Sequence, residues 1–498
     1  MSEPTVVPPP APKMRHEIVR LGKGSFTYLV AMVVTRGLNL FLTPVYVRFM
    51  TPAEYGIVGF ASSFLPALAV LFGLCAHSAA SRLYYSMPDD GQRERLVGSV
   101  LSFVLVVPVL LGIVVEILGS MGLLAFFRTV PYAPYMRIIV WSSVLVVYIS
   151  TGLNMLVIRE EHRRAAVFNA ATVFLTAGFT VFLVVVLRKG AVGQLLAVLF
   201  TNAILATYSI VVVWKMAKPA FDRKLLRTAI GTSIPLVPHE LLKWGLAGSD
   251  RIILERNVSA AALGNYSLGY TFGNTVGMFS YAMIYAFMPM VNRKLGEGDP
   301  RNEVPTLGTI VILTSSFVAL GAAVVLPPAI RLFAPPTYHG ATVVVPWVSL
   351  ALYFQAIYNI WSTGTVFSRR TGSVALVTFI GAGANIALNL TFVPRYGILA
   401  AAVTTAAGYA LLAVLHALLA RRLFPIAWEY GRVGKISVAA LVAYGAAELT
   451  RGLGNVGELL VGGLVAALTF VGMLTLLRAI RVAEVKQLVD IVARRRAA

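Results

Sequence analysis

The chain has 498 residues, of which 58% are hydrophobic and 13% charged, and its mean hydropathy is +0.79. That composition cannot supply a water-facing exterior, so lipid is the solvent the sequence calls for. The net charge of +21 is spread over short loops between apolar runs, which argues against a nucleic-acid partner, and the single cysteine, Cys75, excludes a disulfide framework.

Residues 1–20 open as Met-Ser-Glu-Pro-Thr and are proline-rich, with no apolar run that a signal peptide would need. They read as a disordered cytoplasmic tail. Apolar segments of membrane-crossing length then fall near 25–46, 55–76, 97–118, 137–157, 166–187, 191–213, 232–250, 261–290, 306–328, 341–366, 372–393, 397–419, 435–449 and 456–477. The seventh and thirteenth are the weakest. The seventh contains Pro235, Pro238, His239, Glu240 and Lys243, and the thirteenth is short.

The distribution of lysine and arginine fixes the topology. With the N-terminus inside, 30 of the 42 basic residues fall on the inner side and 10 on the outer, while Arg36 and Lys243 lie within spans. Such a bias is what the positive-inside rule requires, and missing one span would erase it. The expected fold class is therefore all-α, a polytopic membrane protein of about fourteen transmembrane helices with both termini cytoplasmic. The basic and apolar stretches at 77–96 and 478–498 are expected to lie against anionic membrane lipids.

An internal repeat organises these spans. Arg48 to Gly56, after the first span, matches Arg256 to Gly264, after the seventh, at an offset of 208. Trp141, Ser143 and Arg163-Arg164 match Trp347, Ser349 and Arg369-Arg370 at an offset of 206. Arg188-Lys-Gly190 matches Arg395-Tyr-Gly397 at an offset of 207. The offset equals six spans, an even number, so the halves are parallel and related by an axis along the membrane normal. That is a transporter arrangement, with the substrate site between the halves. The implied division is a six-helix bundle over 21–214, a cytoplasmic linker over 215–230 and a second bundle over 231–420. Two additional helices and a basic tail occupy 421–498.

Charges inside spans are candidate functional groups because hydrocarbon penalises them. Arg36, mid-way along the first span, either faces an aqueous cavity or pairs with a carboxylate on another helix. Glu240 and Lys243 are spaced i,i+3, so they either pair on one helix face or place Lys243 in a cationic cavity with Arg36. Asp250 and Arg251 follow at the outer end of the seventh span, where a solvated pair is the default. Arg251 nonetheless counts as a substrate-binding candidate and Asp250 as a coupling-ion candidate. Arg82 is either an inner-side anchor or a phosphate contact at the cavity floor. Glu240 and Glu116 complete the coupling-ion candidates, with H+ or Na+ as the ion. Glu448 sits near the outer end of the thirteenth span. Pro235 and Pro238 are hinge candidates, since neither can donate a helix hydrogen bond.

Enzyme signatures are absent: there is no glycine-rich phosphate loop, no HExxH and no Cys/His cluster, and no outer loop is long enough for a catalytic domain. The sequence reads as a transporter without a cofactor or metal. A membrane enzyme of glycan assembly and a non-transporting scaffold of the export machinery are the alternatives from other classes.

Three motifs also resemble a known family. Thr43-Pro-Val-Tyr-Val-Arg-Phe-Met-Thr-Pro-Ala-Glu-Tyr-Gly-Ile57 resembles the opening signature of Wzx-type polysaccharide-export flippases of the MOP (multidrug/oligosaccharidyl-lipid/polysaccharide) superfamily. Ser249-Asp-Arg-Ile-Ile-Leu with Leu263-Gly-Asn-Tyr-Ser is similar to their seventh-to-eighth-span signature. Val393-Pro-Arg-Tyr-Gly-Ile-Leu is similar to their eleventh-to-twelfth-span junction. The resemblance covers about residues 20 to 420. It implies a V-shaped pair of bundles, a cationic cavity fitting Arg36, Lys243 and Arg82, and a location in the bacterial inner membrane. The implied substrate is an undecaprenyl-pyrophosphate-linked oligosaccharide moved to the outer leaflet, for O-antigen, capsule or exopolysaccharide assembly. A polysaccharide polymerase and a chain-length regulator would be the protein partners. Lipid II flippases and multidrug antiporters of the superfamily are the alternatives, the latter disfavoured by basic rather than acidic cavity residues.

Overall fold

The computed structural model describes residues 42–123, 127–296, 304–367, 371–423 and 426–479. Arg36, the tail at 1–20 and most of the first apolar segment lie outside the described residues. The helices of the first half are α1 (Pro52–Gly73), α2 (Ala76–Tyr84), α3 (Asp90–Ser120), α4 (Arg137–Ile158), α5 (His162–Thr180), α6 (Gly190–Met216) and α7 (Arg223–Ser233). Those of the second are α8 (Leu236–Asn257), α9 (Ala260–Gly273), α10 (Thr275–Gly296), α11 (Val304–Phe333), α12 (Val345–Phe367) and α13 (Thr371–Leu423), followed by α14 (Tyr430–Glu448) and α15 (Gly463–Leu476). No strand occurs among the described residues. In hydrocarbon each backbone N–H and C=O must be satisfied within its own segment, and the helix does this.

Among the described residues, eight helices are long and apolar enough to cross a membrane, or nine if a bent pair at 336–363 counts as one span. The second to fourteenth apolar segments each fall on helix. The eleventh and twelfth share α13, broken at Gly397, where φ is 59° and ψ is −136°. Gly190, its repeat partner, also has a positive φ of 53° and opens α6. Both positions need the left-handed backbone that glycine adopts without a Cβ penalty.

The repeat becomes a physical contact where α1 meets α9. Thr51 caps α1 in a capping box with Glu54, and Ser259, 208 residues on, caps α9 by accepting from the Ala262 N–H at 3.2 Å. A Cβ on Gly56 would collide with the Ala260 carbonyl oxygen, and one on Gly264 with the Pro52 carbonyl oxygen. A Cβ on Gly59 would collide with the Ser267 hydroxyl. Pro52 and Ala260, Gly56 and Gly264, and Gly59 and Ser267 are all pairs at the 208 offset. The contact is thus reciprocal, as across a two-fold axis. Small residues let helices approach this closely where lipid gives no hydrophobic drive for association.

Two stretches differ from the sequence expectation. The seventh span runs to Asn257 rather than 250, because the chain leaves the helix at Val258, whose extended backbone leads into the Ser259 cap. The stretch 215–230 includes helix α7, capped by the Asp222 carboxylate, which accepts from Lys224 and Leu225 N–H at 2.9 and 3.0 Å. Just before it, the Ala220 N–H donates to the Gly98 carbonyl at 3.2 Å and the Ser102 hydroxyl donates to the Ala220 carbonyl at 2.8 Å, which ties the stretch to α3. The added pair α14 and α15 packs through Ala439, Ala443 and Ala447 against Ala466 and Phe470, and reaches α11 at Leu320.

The crossing gives a direct test. Gly56→Val and Gly264→Val each overpack it and should destabilise the fold by about 1–3 kcal/mol. Thermal unfolding in detergent should show lower Tm for both, with Gly178→Ala, which faces open space, unchanged.

Candidate functional site

A cavity of about 640 Å³ lies between α1 and the second-half helices α8, α10, α12 and α13. From α1 come Ser62, Ser63, Pro66 and Val70. Helix α8 supplies the ionisable lining residues Glu240, Lys243 and Arg251, together with Trp244. Gln355, Tyr358 and Asn359 of α12 and Tyr409 of α13 form a wall of neutral hydrogen-bonding and aromatic groups.

The two ion pairs on α8 differ in surroundings. Lys243 Nζ lies 3.1 Å from the Glu240 carboxylate, with both side chains about half exposed to the cavity. Lys243 thus both pairs with Glu240 at i,i+3 and lines the cavity, while Arg36, with which it was expected to share a cationic cavity, lies outside the described residues. Next along α8, the Trp244 indole N–H donates to the Ser63 carbonyl at 2.6 Å, joining α8 to α1 across the halves.

Asp250 and Arg251 are not the solvated pair that their place at a span end suggests. They are 2% and 8% exposed. Because α8 continues to Asn257, both sit inside the helix against α1 and α9. The Tyr266 hydroxyl donates to Asp250 Oδ2, and the Arg251 backbone N–H donates to Oδ1 at 2.7 Å. The Arg251 guanidinium lies 3.5 Å from Oδ1, donates to the Ala247 carbonyl at 3.5 Å and stacks 4.1 Å over the Tyr270 ring. A buried arginine is tolerated with this set of partners. It lines the cavity near the α1–α9 crossing.

The other sequence candidates lie elsewhere. Arg82 is exposed in the last turn of α2 and does not line this cavity. Glu116 accepts from Arg137 Nε at 2.6 Å and from the Tyr132 hydroxyl at 2.9 Å, joining α3 to the start of α4. Glu448 pairs with Arg451 at 2.6 Å. Pro235 stands at the N-cap of α8 and Pro238 in its first turn, where a missing N–H is tolerated. Trp244, Gln355, Asn359 and Tyr409 were not singled out from the sequence. Gln355 and Asn359, spaced i,i+4 within an otherwise apolar segment, are the signal that would have found that wall.

A second cavity of about 700 Å³ lies where α14 packs beside α11 and α12. Its walls are mainly apolar, and its two arginines, Arg331 and Arg451, are engaged by Glu458 and Glu448.

Two related halves of membrane-crossing helices around a polar cavity define a membrane transporter. A family model described as polysaccharide biosynthesis protein matches residues 21–294, more than half of the chain, and a MatE model matches residues 235–391. The chain belongs to the polysaccharide biosynthesis protein family. Its structure is similar to that of the lipid II flippase MurJ in an inward closed conformation, with a TM-score of 0.73 at 15% identity over 90% of this chain and 98% of that one. It is also similar to an inward-facing multidrug resistance MATE family transporter of the MOP superfamily, with a TM-score of 0.59 at 15% identity over 80% and 97%. An outward-facing structure of that description gives 0.52 at 15% identity over 80% and 95%. No curated protein matches the chain. The chain shares the fold of the lipid II flippase and of the MATE family transporter.

The buried pair makes a thermodynamic prediction. Asp250→Ala leaves Arg251 buried without its carboxylate and should destabilise the protein by about 3–5 kcal/mol. The double variant Asp250→Ala/Arg251→Met should recover part of that loss. Lys243→Ala, in a solvated pair, should change stability by less than about 1 kcal/mol. Chemical unfolding of the three variants in detergent would check the order.

Proposed function

We propose that the protein flips an undecaprenyl-pyrophosphate-linked oligosaccharide repeat unit from the inner to the outer leaflet of the bacterial inner membrane by alternating access. O-antigen, capsule or exopolysaccharide assembly would use the product, through a polymerase and a chain-length regulator. The observation that carries this reading is the division of the cavity, with ionic groups on α8 and a neutral polar and aromatic wall on α12 and α13.

A lipid-linked glycan has three parts with different solvation needs. Its pyrophosphate is a multiple anion that hydrocarbon excludes, its sugars need hydrogen bonds, and its prenyl chain belongs in lipid. Lys243 offers a mobile ammonium to the phosphates, and Arg251 a guanidinium held in place by Asp250 and Ala247. Gln355, Asn359 and Tyr409 suit hydroxyl-rich rings, with Trp244 and Tyr358 as apolar faces. Arg36 would add a further cation. Of the three carboxylates considered for a coupling H+ or Na+, Glu240 is the one that lines the cavity, and binding an ion there would free Lys243 for the substrate.

The basic-residue bias supports a cytoplasmic location for both termini. The α1–α9 crossing then closes the outer side, and the cavity opens inward. The higher likeness to the inward-facing than to the outward-facing transporter supports that direction. Lipid II is the second reading, favoured by the overall likeness to the lipid II flippase.

The test is reconstitution in liposomes with fluorescent undecaprenyl-pyrophosphate oligosaccharide and, in parallel, lipid II. The glycan lipid should become accessible in the far leaflet at least tenfold faster than lipid II. Lys243→Ala should slow it by about tenfold, the factor of one lost charge-assisted hydrogen bond. Equal rates for both lipids would overturn the substrate assignment, and no movement of either would overturn the flippase reading.

A further inference from the structure

The second cavity has no part in the transport reading, and its two ends differ in chemistry. Along α11 its lining runs from Ser316 to Arg331, about 22 Å at 1.5 Å per residue. That is about half of the 40–45 Å that a bilayer measures across its headgroups, the depth of one leaflet. The body of the cavity is apolar, formed by Ala319, Leu320 and Ala323 of α11, Phe354 of α12, and Ala440 and Leu441 of α14. Leu441 and Leu399 are exposed on its walls, a surface that hydrocarbon solvates and water does not. At the deep end the hydroxyls of Tyr353 and Ser437 lie 2.8 Å apart.

The shallow end is charged. It lies on the same side of the molecule as the α1–α9 crossing, where the Arg48 guanidinium donates to the Phe333 carbonyl at the end of α11. There a smaller space of about 40 Å³ shares Arg331 and Arg451 with the cavity and adds Glu448 and Glu458. Arg331 donates to Glu458 and, through Nε, to Asn455 Oδ1 at 2.9 Å, while Arg451 Nε lies 2.6 Å from Glu448. Two cations and two anions therefore balance. A purely anionic head would have to draw an arginine from its carboxylate. A dipolar head brings a phosphate to the arginines and an ammonium to the carboxylates, and leaves no charge alone.

We propose that this chamber binds one phospholipid with a phosphoethanolamine head. The phosphate meets Arg331 and Arg451, the primary ammonium donates to Glu448 and Glu458, and an acyl chain follows α11 down to Tyr353 and Ser437. The basic-residue bias makes its leaflet the outer one. A polyprenyl phosphate does not suit the site, because it carries no cation for the two glutamates. Helix α12 divides this chamber from the central cavity, with Leu350, Tyr353 and Phe354 toward the lipid and Gln355, Tyr358 and Asn359 toward the cavity. The bound lipid thus backs the neutral wall, whatever substrate the central cavity carries.

Trp347 lines the chamber and reports its occupancy. Full-length protein in phosphatidylcholine nanodiscs receives a minor fraction of lipid with brominated acyl chains, which quench an indole on contact. The difference between wild type and Trp347→Phe isolates the quenching at this site. It should show phosphatidylethanolamine associating about tenfold more strongly than phosphatidylcholine or phosphatidylglycerol, the factor of one charge-assisted hydrogen bond. Glu448→Gln/Glu458→Gln should abolish that preference, and Ala440→Phe, which fills the chamber, should abolish the quenching. Native mass spectrometry of the wild type, independent of any variant, should find one phosphatidylethanolamine retained per chain in the presence of equal phosphatidylglycerol. Equal quenching by all three lipids, retention of phosphatidylglycerol or retention of no lipid would overturn the site. Relief of the quenching by undecaprenyl phosphate but not by unbrominated phosphatidylethanolamine would assign the chamber to the carrier lipid and overturn it as well.

Discussion

The carbonyl oxygens of Pro52 and Ala260 rest against the α-carbons of Gly264 and Gly56, and much of the architecture follows from that reciprocal contact. A bilayer supplies no hydrophobic force between helices, so association depends on close packing, and close packing depends on the absence of Cβ atoms. The contact fixes a vertex at one end of the molecule. Because α1 and α9 cannot separate there without losing it, the space between the halves tapers toward the vertex and widens away from it. The cavity is the volume left by that taper, and its lining is whatever α1, α8, α12 and α13 present to it.

The same taper sorts the charges on α8. Near the wide end, Glu240 and Lys243 keep water and need little from each other, as exposed pairs do. Near the vertex, Asp250 and Arg251 have lost water and are held by a fixed set of partners, the Tyr266 hydroxyl, the Tyr270 ring, the Ala247 carbonyl and each other. Desolvation makes the second pair a rigid feature of the vertex and leaves the first adjustable. One helix therefore carries a mobile cation at the mouth and an immobile one in the depth. Deeper still, Glu255 is fully buried and accepts from the Thr129 backbone N–H and hydroxyl, which tethers the segment before α4 to the second half.

Much of this fold was readable from the chain because its strongest signals are one-dimensional. Span count follows from hydropathy and the alternation of basic loops, and the relation between halves follows from a constant offset. Gly56, Gly264, Gly190 and Gly397 were visible as repeat matches, although not as contacts or as left-handed turns. The site was less legible. Asp250 and Arg251 read as solvated from the sequence because no proline or glycine marks the true end of α8, which lies seven residues beyond the expected span boundary. Arg82 reads from the sequence as either an inner-side anchor or a phosphate contact at the cavity floor, and the break at Leu74–Cys75 carries it away from the cavity on α2. Gln355, Asn359 and Tyr409 carry no charge, so a search for charged intramembrane residues passes over them.

Helix α8 is not among the helices apolar enough to count as spans on their own, yet its 22 residues reach about 33 Å, enough to cross the hydrocarbon. Hydropathy measures how well lipid solvates a segment, and α8 is solvated mainly by α1, α13 and the cavity. A helix whose polar residues face an aqueous space between two bundles must score poorly as a span. Its weakness is therefore informative in a chain whose charge bias still demands a crossing at that position. Where the loop charges call for a span and hydropathy barely supports one, the segment is being kept out of lipid, and its polar groups either line the cavity, as Glu240, Lys243 and Arg251 do, or are buried against neighbouring segments, as Asp250 and Glu255 are.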